Sequence, residues 1–309
     1  MKRTLETQRL FIFSMAILLV FACRKSIDQQ HISTQSNSGS PADTSQQHND
    51  STQSNGRDSS GVPPYPISGS FNCSGPNYGD SIIFPQPTAP LQDYIVKPIN
   101  NPGSGKYFSW PEGLVLNPTT GAIDVTASAT GQRYNIGFVK DGTQDTCMQT
   151  LIIGGAAFAD SIYVLNNNQR YANPYFNANP NLNSVCTSSG PGSATCQWDL
   201  NQAAKLQQII IDNQSGIIDL QETLNHHAFG PLLLNGASVQ VDIYYTVTDQ
   251  SNGAIQHTPV KLIYYDKKSN IPPSLLSQVL NKEFNIVTQT LIMLGGNPRP
   301  PLIIITRDN

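Results

Sequence analysis

"GLVLNPTTGAID", residues 113–124, returns as "QIIIDNQSGIID", residues 208–219. In each, apolar residues alternate with polar ones on both sides of a short polar turn, the period of a strand with one face inward. Pro118 pre-sets the first turn dihedral, and Gly121 supplies a position where positive φ costs nothing. Asp212 and Gly216 do the same for the second copy. The match pairs Leu114 with Ile209, Leu116 with Ile211, Asn117 with Asp212, Thr120 with Ser215, Gly121 with Gly216, Ile123 with Ile218 and Asp124 with Asp219.

The correspondence extends upstream. "NPGSGKYFSW", ending at Trp110, faces "GPGSATCQW", ending at Trp198, and "DSIIF" from Asp80 faces "DSIYVL" from Asp160. The offset grows from 80 at the Asp-Ser-Ile to 88 at the Trp and 95 at the turn Gly, so order is kept while loops lengthen. Two related domains are therefore expected, 70–158 and 159–309. Further runs, "DYIVK", "RYNIGFVK", "TCMQTLIIG", "SVQVDIYYTVTD" and "VKLIYYD", read as short strands between turn signals. The expected fold class is all-β, two Ig-like β-sandwich domains in tandem. "NIPPSLLSQVLNKEFNIV" adds a short helix to the second, with Leu276, Leu280, Phe284 and Val287 on its apolar stripe. "PPLIIITRDN" reads as a closing strand.

Ahead of the domains, Lys2, Arg3 and Arg9 precede a short apolar run, Leu10 to Ala22, too brief for a mature membrane span. Residues 1–22 are therefore expected to be a signal peptide. They end in Val20, Phe21, Ala22, Cys23, which resembles the lipobox of bacterial lipoproteins. That resemblance implies cleavage before Cys23 and lipidation of its thiol, so the partner there is a membrane. Residues 23–69 are poor in large apolar residues and repeat themselves, "DQQHISTQSN" against "SQQHNDSTQSN". Such a segment cannot bury enough apolar surface to offset its conformational entropy and reads as a disordered tether. His31 and His48 belong to that duplicated polar tract rather than to a metal site.

"WPEGLVLNPTTGAIDVTASATGQRYNIGF", Trp110 to Phe138, resembles the Ig or cadherin-like repeat of bacterial surface proteins. Pro111, Gly113, Leu114, Leu116, Thr120, Gly121, Ile123, Gly131 and Tyr134 fit its pattern; Asp124, Val125 and Thr126 depart from it where Gly-x-Pro is usual. The wider likeness is to lipoproteins of the Bacteroidota kind. The resemblance implies a sandwich and no catalytic residues. The expected place is the outer membrane, at the cell surface or its periplasmic face.

Only 13% of the residues are charged and the formal charge is −3. Removing the signal, three bases against Glu6, leaves about −5. A mildly acidic chain without a basic patch is a poor partner for nucleic acid. Beyond Cys23 four cysteines remain, Cys73, Cys147, Cys186 and Cys196. In an exported chain an even number indicates two disulfides out of three connectivities. Cys186 and Cys196 flank a loop of small residues that lets its ends meet, which leaves Cys73 for Cys147. No Cys-x-x-Cys spacing supports a zinc site.

Chemistry is sparse. Asp219, Glu222, His226 and His227 form the one dense constellation, expected as a solvated loop. Gly103 to Lys106 mimics the end of a phosphate loop, but Tyr107 stands where Ser or Thr would hold magnesium. Asp124 and Asp219 lack the clustered acids of a calcium site. No metal and no cofactor are expected. Tyr244 with Tyr245, and Tyr264 with Tyr265, are neighbours in strands, so one ring of each pair should face outward; Tyr245 and Tyr265 are taken as the candidate binding surface. The expected function is binding or adhesion, to a glycan or an envelope protein. The alternatives are an accessory part of an envelope assembly and, third, a glycan-acting enzyme using Asp219 and Glu222.

Overall fold

The structure is a computed structural model, and it describes residues 75–143, 146–186, 196–288 and 300–308, the side chains of 281–288 excepted. All of these lie in one compact unit, Ser54–Asn309. The signal, Cys23, the tether and Cys73 lie outside the described residues.

The first half runs β1 (Ile82–Ile83), β2 (Ile95–Val96), β3 (Gly105–Trp110), β4 (Val115–Leu116), β5 (Ile123–Asp124), β6 (Gln132–Lys140) and β7 (Thr146–Ile153). It packs a sheet of order β1-β7-β6-β3 against a smaller one, β2-β5-β4. Between them lie Ile83, Ile123, Val125, Tyr134, Ile136, Leu151 and Ile153. Next come β8 (Ala156–Phe158), β9 (Ser161–Val164), β10 (Tyr171–Ala172), β11 (Pro174–Phe176), β12 (Gln197–Trp198), helix α1 (Ala203–Leu206), β13 (Ile218–Asp219) and α2 (Leu220–Asn225). The chain closes with β14 (Ser238–Thr246), β15 (Gln256–Lys267), α3 (Pro273–Thr288) and β16 (Leu302–Asp308). The protein is an all-β sandwich fold.

The repeated hairpin is repeated bond for bond. In the first copy Asn117 N–H donates to the Ala122 carbonyl (2.8 Å), Gly121 N–H to the Asn117 carbonyl (2.9 Å), and the Asn117 side chain accepts from the amides of Thr119 and Thr120 (3.0 and 2.9 Å). In the second, Asp212 N–H donates to Ile217 (2.9 Å), Gly216 N–H to Asp212 (2.9 Å), and the Asp212 carboxylate accepts from Gln214 and Ser215 (3.0 and 2.7 Å). Gly121 and Gly216 hold φ of 69° and 74°, and a Cβ on Gly216 would stand 2.3 Å from the Trp198 ring. The Gly is required twice over, by dihedral and by the indole lying on it.

The match continues outward. Val96 and Ile95 of β2 pair with Ile123 and Asp124; Ala172 and Tyr171 of β10 pair with Ile218 and Asp219. The larger sheets agree in order, with one change. In the first half β1 lies parallel and directly beside the last strand, β7. In the second the order is β12-β14-β15-β16-β9, with β16 parallel to both neighbours and wedged between the last hairpin strand and the first strand. A parallel partner needs a long crossover, which the α3 segment supplies.

That insertion explains why "LIII" is apolar without alternation. Leu302 to Ile305 are all buried: Ile303 and Ile305 in the core of the sandwich, Leu302 and Ile304 with Ile263, Ile271 and Val279 on the side that α3 covers. A strand covered on both faces reads as a continuous apolar run. Leu280, assigned to the apolar stripe of α3, is instead 45% exposed. Leu275, Leu276 and Val279 set the covered stripe, and at 3.6 residues per turn Leu280 lies about 90° round from its centre. Phe284 and Val287 lie outside the described side chains.

The halves meet at a polar seam. Thr130 donates its amide and its hydroxyl to the His257 carbonyl (3.1 and 2.9 Å). The His257 side chain is largely buried; its Nδ1 lies 3.0 Å from both oxygens of Asp242, and Tyr244 stacks on the ring. Burial alone would lower the His257 pKa, but the hydrogen bond and charge of Asp242 and the backbone of Ala127 and Ser128 outweigh it and raise the value above 6.5. A raised folded-state value stabilises the fold fully below the unfolded pKa of about 6.5 and ceases to do so as pH rises through the folded value. Thermal melts of wild type and His257→Gln should therefore differ most below about pH 6.5 and draw together as the pH rises through the folded-state value. A difference independent of pH would contradict the seam's titration.

Candidate functional site

The tyrosines expected to face outward do not. In β14 the residues Val239, Val241, Ile243 and Tyr245 point inward, at 7, 6, 0 and 0% exposure, so Tyr244, 40% exposed, is the outward ring. Tyr245 stacks on Trp198 with centroids 4.4 Å apart and planes 13° from parallel. Its hydroxyl accepts from Ala156 N–H (2.6 Å) and meets the Thr130 hydroxyl (2.5 Å), the Ala156 carbonyl (3.0 Å) and Gln256 Oε1 (3.1 Å). Tyr265 fails for a different reason. Its sheet is covered on both faces: Tyr264 enters the sandwich core and Tyr265 lies under α3.

A more exposed aromatic sits on the other sheet. Tyr171 of β10 is 51% exposed, at the position that Ile95 holds in the first half. Beside it the Arg170 guanidinium, 5.3 Å from the ring centroid, forks onto Asp219 through Nε (2.9 and 3.0 Å) and a terminal nitrogen (2.6 Å), and reaches Glu222 at 3.2 Å. A bidentate Arg–carboxylate pair fixes orientation as well as charge. Asp219 also caps α2, accepting from the amide of Glu222 (3.0 Å). Burial alone would raise the Asp219 pKa; its bonds to Arg170 and to the amides of Glu222 and Gln221 outweigh that and hold it below the usual carboxylate range. Tyr171, Asn173, Asp212, Ser215, Ile217 and Asp219 line an open hollow of ≈570 Å³.

Sequence reasoning found Asp219 and Glu222 but placed them in a loop. Asp219-x-x-Glu222 is the pattern of a helix N-terminus, and that reading yields α2, with His226 and His227 solvent-exposed after it. Arg170 and Tyr171 escaped because β10 is two residues long. The repeat could have found them: Tyr171 is to Asp219 what Ile95 is to Asp124.

Cys186 and Cys196 form a disulfide, Cα atoms 5.4 Å apart. Cys147 is also disulfide-bonded; Cys73 lies outside the described residues. Among the described residues no cluster of three or more His, Cys, Asp or Glu is placed to hold a metal. Nor is any described helix long and apolar enough to cross a membrane.

No family model matches the chain, and no curated protein does. Among solved structures, the first two extracellular repeats of human protocadherin-24 align over 61% of this chain and 95% of theirs, at 10% identity and a TM-score of 0.22. A SusE-like surface-located polysaccharide-binding protein from the Bacteroides thetaiotaomicron heparin utilisation locus aligns over 61% of this chain and 34% of its own, at 13% identity and a TM-score of 0.22. At these values the likenesses say nothing about ligands.

Proposed function

We propose that this is a non-enzymatic binding protein, held on the outer membrane by lipid on Cys23, whose second sandwich recognises an uncharged glycan. The observation that carries the reading is Tyr171: a half-exposed ring on a sheet, beside groups already fixed by one another. A pyranose presents C–H groups to stack on such a ring and hydroxyls to bond at its edge; Asn173, Ser215 and the Asp212 carboxylate stand at the rim of the same hollow. The charge supports a neutral ligand. Arg170 is answered by Asp219 and Glu222, one base against two acids, and the mature chain is acidic, so an anionic polymer would be repelled.

The same geometry speaks against hydrolysis by Asp219 and Glu222. A glycosidase acid needs a raised pKa, whereas Asp219 is lowered and locked onto Arg170. The second reading, an accessory part of an envelope assembly, draws on Ile95 and Val115, each 46% exposed and flanking Asp124 on the matching face of the first half.

Tyr171→Ala should leave thermal stability within about 0.5 kcal/mol, as expected for an exposed position, and weaken glycan binding at least about tenfold, or 1.4 kcal/mol. Calorimetric titration with a neutral polysaccharide measures it. Undiminished affinity in a folded Tyr171→Ala protein would remove Tyr171 from the site.

A further inference from the structure

In the structure Trp198 stands where Tyr107 stands in the first half: each amide donates to a turn carbonyl, Pro118 or Asn213 (both 2.8 Å), and each ring lies on the turn glycine, so the second copy carries four more residues between ring and glycine, 18 against 14. In the first half Trp110 leads almost at once into the hairpin. In the second the extra residues form α1 and open a groove of ≈930 Å³ between β12, α1 and the segment 209–214.

Five amide side chains, Gln197, Gln202, Gln208, Asn213 and Gln214, line the groove together with Lys205 and His226. Its acid is already engaged: Asp199 accepts from the amides of Ala204 and Lys205 (2.8 and 3.1 Å). Trp198, at its floor, is 2% exposed, and its indole N–H is buried with no hydrogen-bond partner. Three of the nine described non-glycine residues with positive φ line this one groove, Asp199 (56°), Gln202 (55°) and Gln208 (59°), and such conformations concentrate where structure is held for a purpose other than stability. Ile210 and Ile211 wall both this groove and the Tyr171 hollow.

Resting on the glycan reading above, we infer that the groove is a second subsite of the same receptor, so that its ligand is an extended neutral polysaccharide occupying both sides of the 209–214 segment. Amide side chains donate and accept at once, which suits successive sugar hydroxyls. Two linked subsites bind a long chain more tightly than either binds a fragment.

The test titrates the full chain with hexasaccharide and disaccharide fragments of the neutral polysaccharides laminarin, mannan and xylan. For the sugar recognised, the hexasaccharide should bind at least about tenfold more tightly than the disaccharide. Gln197→Ala with Gln214→Ala, both exposed positions, should erase that advantage while disaccharide binding and the melting curve stay unchanged. Tyr171→Ala should weaken both fragments. Equal affinity for the two fragments, or an advantage that survives the double substitution in a folded protein, overturns the second subsite and leaves the glycan reading standing. No binding of any fragment by wild type overturns both.

Discussion

Tyr245→Ala is expected to cost about 4 kcal/mol of folding stability, in the range measured when a large buried aromatic is truncated. The ring is fully buried, and one face lies on Trp198, whose other neighbours include Phe158 and Gly216. Truncation removes that stack and leaves a cavity that the rigid hairpin beside it cannot close. It also strips the hydroxyl from Thr130, Ala156 and Gln256, groups that belong to both halves and the link between them. Tyr245→Phe separates the two losses: keeping the ring, it should cost about 1–2 kcal/mol, the penalty of partners left unsatisfied in a buried site. Urea unfolding of the three proteins measures both. If Tyr245→Ala cost no more than Tyr245→Phe, the stacked ring would contribute nothing, and the account of this core would be wrong.

Ile305→Asp should be at least as damaging, about 4 kcal/mol or more, because an unpaired carboxylate would enter the sandwich core. Ile305 is 0% exposed and lies between Tyr264 of β15 and Tyr163 of β9. Since β16 is the only link between those strands in this sheet, its loss should release β9 together with α3 and expose the apolar face beneath the helix. A dye that binds exposed apolar surface should report this at temperatures where wild type is silent. An Ile305→Asp protein that melts like wild type would mean that β16 is not a central strand.

How far the fold was legible follows from which patterns carry physics. The hairpins were, because Asn117 and Asp212 cap their turns and Gly121 and Gly216 hold the dihedrals no other residue holds cheaply. Period-2 alternation gave β14 its inward face, Val239 to Tyr245, and with it the means to see that Tyr244 points out. The position of β16 was legible only in part: "LIII" without alternation marks a strand covered on both faces, but which strands it pairs with is decided by tertiary packing alone. Tyr265 failed with it, since α3 buries a face that a two-layer sandwich would leave open. The site was half visible. Asp219 and Glu222 stood out as titratable neighbours, but their partner Arg170 lies 49 residues before Asp219, a distance no local pattern spans.

The most direct test of the account is affinity electrophoresis of the full chain through gels holding laminarin, mannan or xylan, beside gels holding heparin or another anionic polysaccharide. Retardation by at least one neutral polymer, reduced in Tyr171→Ala and absent with the anionic polymers, is the predicted result. Free migration in every neutral gel, or retardation by the anionic polymers alone, would contradict it.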